Sequence, residues 1–377
     1  MSTPAMKDIF SLALVREIAA ELRAADTCFD VDAFVARSMD GLSSLELTGR
    51  AAHIADALHE YLPERFIEAA AVIESSLGQE LPPIGEIGRT ALRYMPHVIY
   101  VQKYGLDDYE AAMRVQAGLT KRFTAEFSIR AFLVKYPERT YEQMLAWADD
   151  DNAHLRRLAS EGMRPRLPWA PRLRAFQQDP RPVLELLERL KDDPVLYVRR
   201  SVANNLNDIA KDHPALVIET GRRWLKDAPA ERAWIIRHAL RSLVAAGNRD
   251  AIHVLGGTQN PSVRLSGIII TPQRITPGEA TRVSFEVEST AQQSQHLLTG
   301  YAVHFVKANG STRAKVFRLR TLTMQPGEKV ALSTTVSLAS MTTRRHFPGY
   351  HRIDAIINGE VHPLGTFEVK ASIPIPA

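Results

Sequence analysis

The central part of the chain repeats with a period of about 40 residues. In each copy an acidic or proline-containing turn comes first, and a helix that opens on apolar residues and an arginine follows. The aligned arginines are Arg156, Arg199 and Arg237, which lie 43 and 38 residues apart. This arrangement is typical of HEAT repeats, which are built from pairs of helices. Because one pair cannot bury its apolar face alone, the pattern predicts a solenoid of stacked repeats.

The recurring arginines are predicted at the start of the second helix of each pair, where they would form a ladder along one side of the stack. Two interpretations of this ladder are open: the guanidinium groups bridge to acids of the next repeat, or they bind phosphates. A fourth, degenerate copy is predicted where Gln259, Asn260 and Pro261 precede Val263 and Arg264.

Helical spacing of apolar residues continues toward the N-terminus, for example from Met6 to Ala25. Further helices are predicted over Leu45 to Leu62, Arg65 to Leu77, Leu106 to Leu119 and Glu126 to Tyr136. From Val263 onward, apolar and polar residues alternate in about seven short segments that are separated by turns. The sequence therefore predicts a mostly α protein, with a HEAT-like helical-repeat solenoid over residues 1–262 and an immunoglobulin-like β-sandwich over residues 263–377.

The composition is that of a soluble globular protein, with 45% hydrophobic and 24% charged residues. No run of about 18 apolar residues is present, so no membrane span is predicted, and the first residues lack the pattern of a secretory signal. The single cysteine, Cys28, permits no internal disulfide. The sequence contains no CxxC or HExxH metal motif and no glycine-rich nucleotide loop. We therefore expect a cytoplasmic protein that uses no metal and no cofactor.

Basic residues are concentrated in two places, although the net charge of the whole chain is only +4. From Val263 to the end, 13 Lys and Arg stand against 7 Asp and Glu, a net charge of +6, while the remainder has 34 against 36, or −2. In the second place Glu161 is the only acid among six arginines: Arg156, Arg157, Arg164, Arg166, Arg172 and Arg174. Such clusters on a balanced chain indicate a polyanionic partner, although a solvated surface has the same appearance.

Three carboxylates are candidates for chemistry, and each has an ordinary structural alternative. Glu161 follows Arg157 by four residues, so the two can form a salt bridge on one helix face, in the weaker order of base before acid. Glu126 has the same spacing to Arg130, in the order of acid before base. Asp208 can be a polar residue at the end of a helix. Residue chemistry alone leaves these alternatives open.

Two motifs favour the chemical roles. Residues 124–130 read TAEFSIR, and residues 156–169 read RRLASEGMRPRLPW. Together they resemble the AlkC family of 3-methyladenine DNA glycosylases, which are relatives of AlkD. The resemblance covers essentially the whole chain, most firmly from Tyr104 to Pro261, and the predicted architecture agrees with it.

The resemblance implies an enzyme that cuts the N-glycosidic bond of small cationic alkylated bases in double-stranded DNA. The bases are chiefly 3-methyladenine and also 3-methylcytosine, and neither a metal nor extrusion of the base is needed. The resemblance places Glu126, Glu161 and Trp169 at active-site positions, with Asp208 as a third candidate acid. We expect Glu161 to stabilise the charge that develops on the sugar, with Glu126 beside it and Trp169 against the deoxyribose.

Arginines of both predicted domains are expected to contact DNA. In the helical domain they are Arg156, Arg157, Arg164, Arg166, Arg199 and Arg200, and in the C-terminal domain they are Arg318, Arg320, Arg344 and Arg345. We expect a monomer on one duplex, associated with the nucleoid while it is bound to DNA. The alternatives are a non-catalytic HEAT-repeat scaffold for DNA or protein, and an AlkD relative that binds DNA without cutting it.

Overall fold

The computed structural model describes residues 5–82, 88–339 and 345–370. Within these residues the chain forms two compact units, each assembled from two stretches of sequence. The first consists of Met1–His213 and Asp227–Ala239, and the second of Pro214–Lys226 and Leu240–Ala377. Every helix in the described part of the chain is too short or too polar to cross a membrane.

Helices make up nearly all of the first unit. In chain order the described helices are α1 (Leu12–Ala25), α2 (Val31–Met39), α3 (Leu47–Tyr61), α4 (Phe66–Ser76), α5 (Met95–Tyr104), α6 (Tyr109–Thr120), α7 (Ile129–Lys135), α8 (Pro137–Ala148), α9 (Ala153–Gly162), α10 (Arg174–Gln178), α11 (Arg181–Leu190), α12 (Leu196–Ile209), α13 (Pro214–Leu225), α14 (Ala230–Ala239), α15 (Arg241–Ala245) and α16 (Arg249–Val254). Short 3-10 helices span Met6–Ile9, Leu42–Ser44 and Arg89–Tyr94. Helices α13, α15 and α16 belong to the second unit and the others to the first.

The repeat predicted from the sequence is present as packed pairs of helices. Within the pairs α8 packs on α9 and α11 on α12, and between pairs α9 packs on α12 and α12 on α14. The apolar spacing explains this packing, since Val183, Leu186, Leu187 and Leu190 of α11 are all buried and these positions share one face of a helix. The predicted HEAT-like helical architecture is confirmed.

Two arginines of the ladder bind the turns that connect the two helices of a pair. Arg156 donates from Nε to Oδ2 of the buried Asp193 at 2.6 Å, and from Nη1 to the carbonyl oxygen of Asp150 at 2.9 Å. Arg199 donates from Nη1 to the carbonyl oxygens of Asp193 and Pro194, at 2.8 and 2.7 Å. At Arg156 the structure therefore matches the first interpretation of the ladder, a bridge to an acid of the next repeat, whereas Arg199 binds the turn of its own repeat.

Some predicted boundaries of the helices are wrong. The first predicted helix is interrupted at Ser11, whose side chain accepts a hydrogen bond from the N–H of Leu14 and thereby caps α1. The helix predicted from Glu126 begins only at Ile129, so Glu126 lies in a turn. This shift matters for function, because it changes which side chains Glu126 can reach.

The second unit contains the immunoglobulin-like β-sandwich that the sequence predicts. The described strands are β1 (Val263–Thr271), β2 (Arg274–Ile275), β3 (Ala280–Ser289), β4 (Gln295–Val306), β5 (Thr312–Met324), β6 (Lys329–Ser337), β7 (Gly349–Ile357) and β8 (Glu360–Val369). One sheet has the order β1-β3-β6 and the other β2-β8-β7-β4-β5. The core between them contains alternate residues of β3, namely Val283, Phe285 and Val287, as period-two patterning requires.

The fourth repeat copy predicted from Gln259 to Arg264 is wrong. Val263 begins β1 and pairs with Ser289 of β3, and Arg264 pairs with Glu288. A turn followed by an apolar residue and an arginine can open a strand as well as a helix, so this short pattern did not distinguish the two.

We expect Asp193→Ala to lower the free energy of unfolding by about 3 kcal/mol, because it leaves the largely buried guanidinium of Arg156 without its carboxylate. Asp192→Ala is the matched control, since Asp192 pairs with Arg232 at the surface, where the loss costs about 1 kcal/mol or less. Urea unfolding followed by the circular dichroism of the helices measures both. Equal losses would contradict the bridging role of Arg156.

Candidate active site

The segment that carries the six clustered arginines, from Arg156 to Arg174, begins in α9 and continues after Gly162 as an irregular loop. A Cβ atom on Gly162 would lie 2.7 Å from the Ile129 side chain and 2.9 Å from that of Met144. Glycine therefore allows the end of α9 to pack closely on α7 and α8. This packing places the neighbouring Glu161 in the interior of the unit.

The carboxylate of Glu161 is 5% exposed and has a donor on each oxygen. Arg164 Nη1 donates to Oε1 at 2.6 Å, and Ser201 Oγ donates to Oε2 at 2.6 Å. Arg157 Nη2 lies 3.5 Å from Oε1, so the salt bridge within α9 exists but is the longest of the three contacts. Because Ser201 lies on α12, two successive repeats hold this carboxylate.

Glu161 is held in its charged form. Burial raises the pKa of its carboxyl, but the positive charges of Arg157 and Arg164 and the hydrogen bond from Ser201 lower that pKa by more. The net pKa lies below the usual value for glutamate. Glu161 also stands at the C-terminal end of α9, where the helix dipole disfavours an anion, so the two arginines offset this effect as well as that of burial. At neutral pH the group is a carboxylate and does not act as a proton donor.

Glu126 reaches the same guanidinium group from the turn between α6 and α7. Arg157 Nη1 donates to Glu126 Oε2 and, at 3.0 Å, to Thr124 Oγ1. Thr124 Oγ1 in turn donates to Glu126 Oε2 at 3.0 Å. The alternative salt bridge to Arg130 is not formed, because Glu126 precedes the helix and the Arg130 side chain bonds to carbonyl groups instead. Arg157 thus connects both candidate carboxylates.

These groups line a cleft of about 430 Å³ in the first unit. Trp169 also lines it, is 80% exposed, and has a left-handed backbone conformation with a φ of 63°. Tyr197 contributes a second aromatic ring, whose centre lies 5.2 Å from the Arg157 guanidinium. Aromatic faces beside two carboxylates suit the binding of a cation or of a base.

Asp208 lies behind the cleft and does not line it. It is 2% exposed and accepts hydrogen bonds from Arg164 Nε at 2.8 Å and from Lys211 Nζ at 2.8 Å. Arg164 therefore stands between Asp208 and Glu161. Asp208, the third candidate acid, thus contacts the cleft residue Arg164 and not the cleft itself.

The arginines expected to contact DNA in the helical unit differ in their surroundings. Three of them line the cleft: Arg157, Arg164 and Arg200. The other three do not, and are held by carboxylates or backbone carbonyl groups: Arg156, Arg166 and Arg199. Of the three that line the cleft, Arg157 and Arg164 are also paired with carboxylates, and Arg200 is exposed.

In the second unit, Arg318 and Arg320 lie exposed on β5, and Arg345 is exposed before β7. Arg344 lies outside the described residues. Among the residues that the structure describes, no group of three or more His, Cys, Asp or Glu side chains is arranged to hold a metal ion.

Sequence reasoning missed three side chains of this site: Thr124, Tyr197 and Ser201. Ser201 lies 40 residues after Glu161, about one repeat, so the repeat period was the signal that could have found it. Tyr197 belongs to the copy of the repeat that contains Arg199. Thr124 is part of the TAEFSIR motif, but nothing in its local pattern indicates a contact with Arg157.

Comparison with known proteins gives two family matches. Residues 123–243 match the family described as DNA alkylation repair enzyme, and residues 264–371 match the C-terminal Ig-like domain of the uncharacterised protein YhaZ. The chain is also 34% identical over 365 residues to the uncharacterized protein YhaZ of Bacillus subtilis (strain 168), a match that covers 97% of this chain and 99% of that protein.

A solved structure is similar over the same extent. It is the Pseudomonas fluorescens alkylpurine DNA glycosylase AlkC bound to DNA containing an abasic site analog, with a TM-score of 0.90 and 37% sequence identity. The match covers 98% of this chain and 100% of that one. The similarity therefore includes both the helical part and the immunoglobulin-like part.

Ser201→Ala should lower the free energy of unfolding by about 1–3 kcal/mol, because it leaves a buried carboxylate oxygen without its donor. In a protein that already carries Glu161→Gln, the same change should cost at least about 1 kcal/mol less, since the charged acceptor is absent. Urea titrations of the four proteins give this coupling energy. Additive losses would mean that Ser201 stabilises another partner, such as Ser160, whose hydroxyl lies 2.9 Å away.

Proposed function

The chain belongs to the AlkC family of alkylpurine DNA glycosylases, and on that premise we propose that it excises small cationic alkylated bases from double-stranded DNA in base excision repair. The substrates that we propose are 3-methyladenine and 3-methylcytosine. The observation that carries the proposal is one cleft in which Arg157 binds both Glu126 and Glu161 beside the exposed Trp169.

The chemistry follows from the charge of the substrate. A methyl group on N3 of adenine makes the base positively charged, so the base is a good leaving group without protonation. When the bond between C1′ and the base nitrogen breaks, its electrons pass to the base, which leaves neutral. Positive charge then develops on the sugar, and a nearby carboxylate stabilises it. Water adds at C1′ and loses a proton.

We assign the stabilising role to Glu161. Its lowered pKa keeps it ionised at neutral pH, and its two short hydrogen bonds fix the direction of its oxygens. Glu126 would orient the attacking water, and Trp169 would pack against the deoxyribose. Asp208 would act only through Arg164, which it holds from behind the cleft.

The exposure of Trp169 supports a reaction in which the base stays in the duplex. A glycosylase that extrudes its target encloses the base in a pocket and stacks it between buried side chains. Here the aromatic side chain next to the carboxylates lies at the surface. We therefore infer that the enzyme approaches the sugar from outside the helix.

The second unit would add contacts to the DNA backbone. The chain from Val263 onward carries a net charge of +6, and phosphate neutralisation by such charges supplies most of the affinity in sequence-independent binding. Arg318, Arg320 and Arg345 are the exposed candidates. We further propose a cytoplasmic monomer that acts on one duplex and is associated with the nucleoid while bound.

The competing function is a non-catalytic scaffold that binds DNA or protein. It is favoured by the fact that Glu126 and Glu161 both have arginine partners, as they would in a purely structural network. Purified protein and methylated genomic DNA distinguish the two functions, because a scaffold binds that DNA but releases no base.

Glu161→Gln should slow the release of 3-methyladenine from methylated DNA by at least about 100-fold under single-turnover conditions. The amide keeps the shape of the side chain but cannot offset positive charge on the sugar. Glu68→Gln is the control, since Glu68 is an exposed acid of α4 that pairs with Arg65, and it should leave the rate unchanged. A parental rate in the Glu161 variant would remove this residue from the chemistry.

Replacing Arg318 and Arg320 together by alanine should weaken DNA binding and reduce the slope of log K against log salt concentration by about 1 to 2. Arg282→Ala, at an exposed position on β3 in the other sheet, is the matched control and should leave the slope as it is. Fluorescence anisotropy of a labelled duplex at several salt concentrations measures both. A slope unaffected by the double change would place the DNA contacts of this unit elsewhere.

A further inference from the structure

We infer that Arg130 is a positioning residue of the active site, which fixes the loop from Gly162 to Pro171 and through it the positions of Arg164 and Trp169. This inference rests on the proposed function, because it gives Arg130 a part in the rate of base release. Arg130 does not line the cleft, so any effect that it has must pass through the loop.

Arg130 joins the two ends of this loop. The side chain comes from α7 and is 4% exposed. Its Nη1 donates to the carbonyl oxygens of Gly162 at 3.0 Å and Arg164 at 2.8 Å. Its Nε donates to the carbonyl oxygen of Pro171 at 3.2 Å, and Nη2 donates to the same oxygen. The single planar guanidinium group of Arg130 therefore holds the two ends of the loop together.

The loop contains four residues that line the cleft, namely Arg164, Leu167, Pro168 and Trp169. Arg164 lies near the first end and donates to Glu161, and Trp169 lies near the second end. Two hydrogen bonds of 3.4 and 3.2 Å, the N–H of Ala170 to the carbonyl of Leu167 and the N–H of Leu173 to the carbonyl of Pro165, add to the support. Since a bulky residue with a positive φ is disfavoured, the conformation of Trp169 needs support from outside the loop.

Burying the charged guanidinium group of Arg130 at this position costs free energy. Burial, with a smaller contribution from the charge of Arg164, lowers the pKa of Arg130 to about 10. Among the residues that the structure describes, no carboxylate forms a salt bridge with Arg130, and its guanidinium donates its hydrogen bonds to carbonyl oxygens. A buried charge is usually no more stable than an apolar side chain of similar volume. What arginine alone provides is a rigid fork that reaches several acceptors at once.

Arg130→Lys and Arg130→Met separate the geometry from the charge. Lysine keeps the charge, but one ammonium group cannot serve both ends of the loop, and methionine keeps only the length. We expect both changes to lower the single-turnover rate of base release by about 10- to 100-fold, because small displacements of catalytic groups have effects of this size. The DNA affinity should change little, since the side chain is buried. A parental rate in the Arg130→Lys protein would show that charge is enough and would overturn the inference.

Arg50→Met controls for a simple loss of stability. Arg50 also donates to three carbonyl oxygens, those of Leu45 and Lys7 at 3.0 Å and that of Ser43 at 3.4 Å, and none of these residues lines the cleft. The change should lower the melting temperature and leave the rate unchanged when it is measured well below that temperature. If the Arg130 variants behave in the same way, the role of Arg130 is only structural and the inference fails.

The mobility of the Trp169 side chain can be measured without catalysis, by its fluorescence anisotropy. The signal of Trp169 is obtained as the difference between each protein and the same protein with Trp169→Phe. The anisotropy should fall in Arg130→Met and stay at the parental value in Arg50→Met, because only the first change frees the loop. Unchanged anisotropy in the Arg130 variants overturns the inference, whatever the rates are. If the parent protein releases no base, the proposed function is refuted. If the anisotropy nevertheless falls in Arg130→Met, the fixation of the loop by Arg130 is confirmed.

Discussion

Five side chains alternate in charge through the interior of the helical unit: Glu126, Arg157, Glu161, Arg164 and Asp208. Each guanidinium lies between two carboxylates, and all five groups are largely buried. A charge buried alone costs several kcal/mol, and here each guanidinium offsets that cost by contacts with two carboxylates. The row holds the two carboxylates that line the cleft, Glu126 and Glu161, and keeps Glu161 ionised.

The helical repeat supplies the positions from which the row is built. Successive residues on a helix point about 100° apart, so neighbouring arginines serve different surfaces. In α9 Arg156 bonds to the turn before α12, whereas Arg157 faces the cleft. In α12 Arg199 bonds to the same turn, and Arg200 lines the cleft. The first arginine of each pair thus binds this turn, and the second lines the cleft.

The spacing of apolar residues along the chain predicted the elements that form between residues close in sequence. The repeat period predicted the helix pairs, and the alternation after Val263 predicted the sandwich. Contacts between distant segments have no local signal, which is why the loop closure by Arg130 could not be foreseen, and only the repeat period pointed to Ser201. Glu126 was predicted on a helix beside Arg130, and the late start of α7 gave it a different partner. Ion pairing and catalysis were treated as alternatives for Glu161, but its ion pairs are what would make it useful in catalysis.

Most enzymes that cut glycosidic bonds use two carboxyl groups in different protonation states, and the one with the raised pKa protonates the leaving group. The pKa of Glu161 is shifted in the opposite direction, and among the described residues that line the cleft none is a histidine. Glu161 can therefore stabilise a developing cation but has no proton to give to a departing base. Bases that already carry a positive charge leave without that proton, whereas neutral bases do not. By keeping Glu161 ionised, Arg157, Arg164 and Ser201 would suit this residue to lesions that already carry a positive charge.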